Sequence, residues 1–269
     1  MRHLRSGSVV VCLAVMLVAC GASSTATPTN APAGDIEGGD AAQLPTLPSP
    51  TAGAATPTPS ATPGQVVTAI FQDVQATWQT AFRQAGVAYA PATLRLFSSE
   101  IGTACGTQTS EVGPFYCPAD QVVGIDLTFF AALQQHFGVG GFAWAYVVAH
   151  EIGHHIQLLL GVTARVADAD ARNPAGANAL SVRVELQADC YAGVWAHTAY
   201  SRDLLQPGAI EQALHAAAVI GDDFQSHLGG GQVEPENWTH GSSAQRQRWF
   251  TAGFDSGKAG SCNTFSGSP

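Results

Sequence analysis

A chain of 269 residues, 46% hydrophobic and 12% charged, carries ample apolar material for one sizeable globular core. Its net charge of −9, from 11 basic against 20 acidic residues, offers no basic footprint and so excludes nucleic acid and anionic lipid as surfaces it is built to bind.

Residues 1–19 read as a signal segment. Arg2 and Arg5 precede an uncharged apolar stretch from Val9 to Ala19, whose eleven residues are too few to span a bilayer. Without that segment both arginines go, leaving 9 basic against 20 acidic residues, a net −11. Leu17-Val18-Ala19-Cys20 resembles the bacterial lipoprotein processing box. That implies cleavage before Cys20, lipidation of Cys20 and an extracytoplasmic protein held to the membrane through this lipid only; an ordinary secretory signal is the alternative. Residues 20–64 are mostly Ala, Thr, Pro, Ser and Gly with no aromatic side chain, so they read as a disordered tether that buries no core.

The folded domain, 65–269, opens with a helix near Val66, whose Val67, Ile70, Phe71, Val74, Trp78, Ala81 and Phe82 share one face that Gly86 ends. Thr93–Phe97 and Val122–Leu127 read as strands flanking a loop that holds Cys105 and Cys117. Val122–Asp126 is the candidate for an edge strand that pairs with an extended substrate, against a plain structural role. An apolar helix from Phe142 to Leu160, ended by Gly161, comes next, then a surface loop over Ala164–Ala179. Helices follow at about 182–200, 208–227 and 242–257, the first capped by Ser181. The sum is one α+β domain, mainly helical, with a small sheet on one side.

Cys105, Cys117, Cys190 and Cys262 are an even set with three possible pairings in an oxidising compartment. Cys105–Cys117 with Cys190–Cys262 is preferred, because it closes a short loop and ties the C-terminal tail to the helix that carries Glu185; chain entropy assigns the two loops roughly 3 and 4.4 kcal/mol. Cys190 is a poor metal ligand beside Asp189, about 100° round the helix from it.

The chemistry concentrates in two strings. His150-Glu151-Ile152-Gly153-His154 puts two imidazoles four residues apart on one helical face, with Glu151 one step round, over an open coordination position. Set in an apolar helix, these groups need a metal or a hydrogen-bond network, since burying them unpaired costs several kcal/mol. Glycine inside a helix also needs a reason, and for Gly153 it is the close approach of another backbone. In the second string Glu185 and Asp189 fall four apart on one face among Val184, Leu186, Ala188 and Ala192. Glu185 is the best candidate for the third ligand of one Zn2+ ion and Asp189 lies behind it; a solvated acidic face is the alternative.

Ala149–His155 and Glu185–Ala196, with Gly113–Pro118, Asp126–Phe130 and Thr239–Ser243, resemble the bacterial neutral zinc metallopeptidase family over about residues 66–265. More distantly the arrangement is similar to the gluzincins and the prenyl-protein endopeptidases. The resemblance implies His150, His154 and Glu185 as zinc ligands, Glu151 as general base, Asp189 as the carboxylate orienting an imidazole, His150 foremost, and a zincin-like domain. His240, with Arg246 six residues on, resembles a His-and-Arg segment of the endopeptidases, which suggests oxyanion stabilisation, against a place with no chemistry beside a helix cap. His136, His155, His197, His215 and His227 read as structural or exposed. The expected function is zinc-dependent hydrolysis of a peptide or protein substrate. A zinc-stabilised binding or scaffold lipoprotein without turnover, or a hydrolase of a cell-wall amide, are the alternatives.

Overall fold

The computed structural model of the protein describes residues 61–110, 112–138, 141–228 and 234–269. The signal segment, Cys20 and the tether as far as residue 60 lie outside the described residues. Helix α1 (Pro63–Gln84) begins earlier than Val66, because Thr62 caps it. The Thr62 hydroxyl accepts from the Gln65 backbone N–H, and the Gln65 side-chain oxygen accepts from that of Thr62, a reciprocal box with Pro63 at the first helical position. Pro63 and Gly64 therefore belong to the helix and not to the tether. Its face of Val67, Phe71, Val74, Trp78, Ala81 and Phe82 is buried.

Strands β1 (Thr93–Phe97), β2 (Glu100–Thr103), β3 (Gly106–Thr109), β4 (Phe115–Cys117) and β5 (Val122–Asp126) follow. The expected loop between Thr93–Phe97 and Val122–Asp126 is thus a hairpin, β2–β3, and a third strand, β4. A disulfide joins Cys105 at the hairpin to Cys117 in β4. These strands are three or four residues long and partly Gly- and Thr-rich, too short for alternation to declare them. The main sheet runs β1-β5-β4, with β1 parallel and β4 antiparallel to β5. The edge-strand expectation for Val122–Asp126 is therefore wrong: β5 is the middle strand, buried at all five positions. Continuous apolar burial is what a central strand shows, and β4 takes the edge beside the metal-motif helix.

Helix α2 (Leu127–Phe137), which periodicity did not reveal, starts where Leu127 was read as strand, with Asp126 accepting from the Thr128 N–H as its cap. Then come α3 (Phe142–Leu159), α4 (Val162–Arg172) and α5 (Ala177–Ser201). The expected loop at 164–179 is mostly α4, which buries Val162 and Val166 against Leu180 and Phe265. Ser181 lies inside α5 and caps nothing; its hydroxyl donates to the Thr239 carbonyl at 2.9 Å. The span read as one helix at 208–227 is α6 (Ala209–Val219) and α7 (Asp222–Leu228). The break falls at Gly221, where a Cβ would lie 2.5 Å from the backbone nitrogen of Ser243, at the start of α8 (Ser243–Ser256). The incoming helix leaves no room for a side chain there.

Helix α5 is the axis of the domain, packed between α3 and α8. Its crossing with α8 runs through two glycines: a Cβ on Gly193 would meet the Phe250 carbonyl oxygen at 2.0 Å, and one on Gly253 the Cys190 carbonyl oxygen at 2.0 Å. Cys190 is joined to Cys262, which ties the tail to this axis. Among the described residues no helix is long and apolar enough to cross a membrane.

Candidate active site

Two helices present the site to each other. Helix α3 carries His150, Glu151 and His154, and α5 carries Glu185 and Asp189. They come close because position 153 has no side chain: a Cβ there would sit 3.0 Å from both Cα and the carbonyl oxygen of Ala188. Gly153 thus meets the residue just before Asp189, and the two acidic side chains of α5 face the two imidazoles of α3.

Three side chains converge. His150 Nε2 lies 3.0 Å from Glu185 Oε2 and 3.2 Å from His154 Nε2, and His154 Nε2 lies 3.5 Å from Glu185 Oε1. Tetrahedral zinc with bonds of 2.0–2.1 Å sets its donor atoms about 3.3 Å apart, so this donor set fits the ion. Both imidazoles also give Nδ1 to an oxygen, His150 to Asp189 Oδ1 at 2.8 Å and His154 to Gln157 Oε1 at 2.9 Å. Two Nε2 atoms and a carboxylate are left facing one point, a group that could hold a metal ion. All three residues are buried.

The electrostatics follow from that burial. Desolvation works against the charge of Glu185, yet His154, His150 and His240 around it hold its carboxyl well below the usual range. Asp189 is likewise desolvated, and the Arg246 guanidinium and His150 bring it down to about 2. Glu151 goes the other way: burial pushes its carboxyl up, only partly offset by the two histidines. Its Oε2 has no hydrogen-bond partner, which marks a buried carboxylate oxygen held ready for something else.

Asp189 does more than face His150. Arg246, fully buried on α8, donates to it twice, Nε to Oδ2 at 2.9 Å and an Nη to Oδ1 at 2.9 Å, and the Tyr146 hydroxyl donates to Oδ1 at 2.6 Å. Arg246 was noted only for its spacing from His240, and Tyr146 was missed. The available signal for Tyr146 was its place one helical turn before His150 on the same face.

His240 is buried in the loop before α8 and close enough for its charge to depress Glu185. Its Nδ1 lies 3.3 Å from Asp222 Oδ1, and its Nε2 is buried with no partner. Asp222 shapes the loop, accepting on Oδ2 from the backbone N–H groups of Thr239, His240 and Gly241 at 2.9, 2.7 and 2.8 Å. Sequence reasoning passed over Asp222 because it lay inside a helix drawn too long. His155 faces away from the site: Nε2 bonds the Ala90 carbonyl at 2.6 Å, and Nδ1 takes the Tyr116 hydroxyl at 2.9 Å. His197 bonds the Phe254 carbonyl and His215 that of Phe137.

A small cleft of about 50 Å³ opens beside His154 and Glu185, lined by Val162, Val166 and Val184 and by Tyr116 of β4. The site therefore combines a metal-fitting triad, an unpartnered carboxylate and a buried histidine beside a small cleft.

Comparison with known proteins bears on this geometry. A family model described as "Putative neutral zinc metallopeptidase" matches residues 4–265. The uncharacterized protein YpfJ of Escherichia coli K12 is 45% identical over 198 residues, covering 73% of this chain and 69% of its own. The uncharacterized protein Rv2575 of Mycobacterium tuberculosis H37Rv is 50% identical over 185 residues, 64% of this chain and 62% of its own. No solved structure matches the chain. With nearly its whole length matched by that family model, the chain belongs to the family so described.

Proposed function

We propose that the protein hydrolyses peptide bonds with one zinc ion held by His150, His154 and Glu185. The observation that carries this reading is Glu151, a buried carboxyl with an unpartnered oxygen on the residue next to a ligand. A purely structural zinc site is closed by four protein ligands and has no use for such a group. Zinc, when bound, polarises the scissile carbonyl and lowers the pKa of a water. Glu151 takes the proton and returns it to the leaving amine; its burial, which favours the protonated form, suits a carboxyl that must do both. Asp189 fixes the ring of His150 through Nδ1. Thr239 and Asp222 fix that of His240 through Nδ1, and its unpartnered Nε2 is the group offered to the developing oxyanion. The substrate enters along the cleft, with β4 as the strand edge nearest the ligands.

The setting is extracytoplasmic, with the domain anchored through lipid on Cys20 and tethered by the residues that follow it. Two disulfides support an oxidising compartment. The test is digestion of an unbiased peptide library read by mass spectrometry. Cleavage that stops on chelation and returns with zinc is expected. Stoichiometric zinc with no cleavage of any peptide would overturn the peptidase reading and leave the scaffold protein or the cell-wall amide hydrolase in its place.

A further inference from the structure

The second histidine has an outer support unlike that of the first. Where His150 leans on a carboxylate, His154 leans on a neutral amide, and that amide is one link of a buried relay. His154 Nδ1 lies 2.9 Å from Gln157 Oε1; Gln157 Nε2 donates to the Val184 carbonyl at 2.7 Å and to Gln187 Oε1 at 3.1 Å; Gln187 Nε2 donates to the Cys262 carbonyl at 2.9 Å. Both glutamines are 1% exposed and Cys262 is fully buried.

The direction of the relay is not free. A backbone carbonyl only accepts, so Cys262 requires the NH2 end of Gln187 to face it, and the Gln187 oxygen then faces Gln157. Val184 imposes the same choice on Gln157 independently. With both protons of its NH2 taken, Gln157 presents its oxygen to His154, so Nδ1 must carry the hydrogen and Nε2 must offer its lone pair. A chain of amides anchored on two main-chain oxygens thus selects the tautomer that ligation requires. One of those oxygens belongs to the C-terminal tail, and Cys262 is the residue that the disulfide bonds to α5. Cys190, its partner, is the neighbour of Asp189.

We infer that Gln157 and Gln187 are positioning residues for the metal site, and that the Cys190–Cys262 cross-link completes it by holding the tail carbonyl that, together with the Val184 carbonyl, sets His154 in its ligating tautomer and orientation. The inference rests on His154 being a ligand. It goes beyond the ligand set in giving the tail, some 75 residues from Gln187 in sequence, a part in metal retention. The tail is also held by Thr264, whose hydroxyl donates to the Arg183 carbonyl at 2.6 Å, so loss of the disulfide loosens the anchor without removing it.

The experiment measures zinc affinity by competition with a chromophoric chelator, and the visible spectrum of the cobalt-substituted full-length protein, for six variants. Gln157→Met keeps the side-chain shape and removes the partner of His154; it is expected to weaken zinc by about tenfold, the lower end of the loss seen when an outer partner of a ligand is removed, and to shift the cobalt bands. Gln187→Met, which leaves Gln157 its bond to Val184, weakens zinc in the same direction by a few fold and shifts the bands, and the double variant is no worse than Gln157→Met, because Gln187 acts on His154 through Gln157. Cys190→Ala with Cys262→Ala weakens zinc in the same direction by a few fold, whereas Cys105→Ala with Cys117→Ala, remote from the relay, leaves affinity and spectrum unchanged. Melting of the metal-free proteins separates unfolding from loss of the site. Wild-type affinity and spectrum in Gln187→Met overturn the inference, as does an equal loss of zinc in the two cysteine pairs. Undiminished zinc in His154→Ala overturns it at its root, through the ligand assignment.

Discussion

Removing the charge on Arg246 tests how the first histidine is supported. Arg246 and Asp189 are both fully buried, so Arg246→Met leaves a carboxylate inside the protein without its cation. Breaking one side of a buried pair costs about 3–5 kcal/mol. Asp189 keeps two other partners, the Tyr146 hydroxyl at 2.6 Å and His150 Nδ1 at 2.8 Å, which places the loss at the lower end, about 3 kcal/mol. At about 2–4 °C per kcal/mol for a domain of this size, Tm falls by about 6–12 °C. Neutralising both partners removes the penalty as well as the pair, so Asp189→Asn with Arg246→Met recovers at least about half of the single-variant loss. The assay is thermal and urea unfolding of the metal-free proteins, since bound zinc would add its own linkage to the measured stability. A cost below about 1 kcal/mol for Arg246→Met, or strictly additive losses in the double variant, refutes the claim that the two charges stabilise each other.

Other outcomes follow from the same geometry. Glu185→Ala strips zinc during dialysis, whereas Asp189→Asn retains the ion with affinity weakened about 10- to 100-fold; a loaded Glu185 variant beside a metal-free Asp189 variant would exchange their roles. His240→Ala lowers kcat and kcat/KM together by about 10²- to 10³-fold while zinc content and melting stay near wild type, and a variant whose only defect is unfolding reduces His240 to a structural residue. Cys20→Ala blocks processing and lipidation, and mass spectrometry of the exported wild type shows an acylated N-terminal cysteine; an unmodified N-terminus beyond Cys20 in freshly exported protein removes the anchor.

Most of the site could be read from the chain because helical spacing is rigid. Residues four apart share a face whatever surrounds them, so His150 with His154 and Glu185 with Asp189 were legible as pairs, and Gly153 declared a close contact that the structure places at Ala188. What local pattern cannot encode is which side chain arrives from a distant element. Arg246 reaches Asp189 across 57 residues and Gln187 reaches Cys262 across 75, and neither partner is marked by spacing. The short strands β2, β3 and β4 escaped for another reason: three or four residues carry no measurable period, and pairing alone defines them. Helix α4 was mistaken for a loop because its Ala and Asp content suggests a surface, although Val162 and Val166 bury one stripe of it. The boundary at Gly221 was invisible for want of knowledge of α8, whose first turn excludes a side chain there.

The central claim is that a zinc site and a general base act together, and Glu151→Gln separates them. The substitution keeps the shape of the side chain, leaves His150, His154 and Glu185 in place, and abolishes proton acceptance. Zinc content and turnover of a cleaved peptide are measured on the same preparation. Near-stoichiometric zinc with turnover lowered at least about a hundredfold is the predicted result, the loss expected when a general base is removed. Turnover equal to that of the wild type would contradict the account.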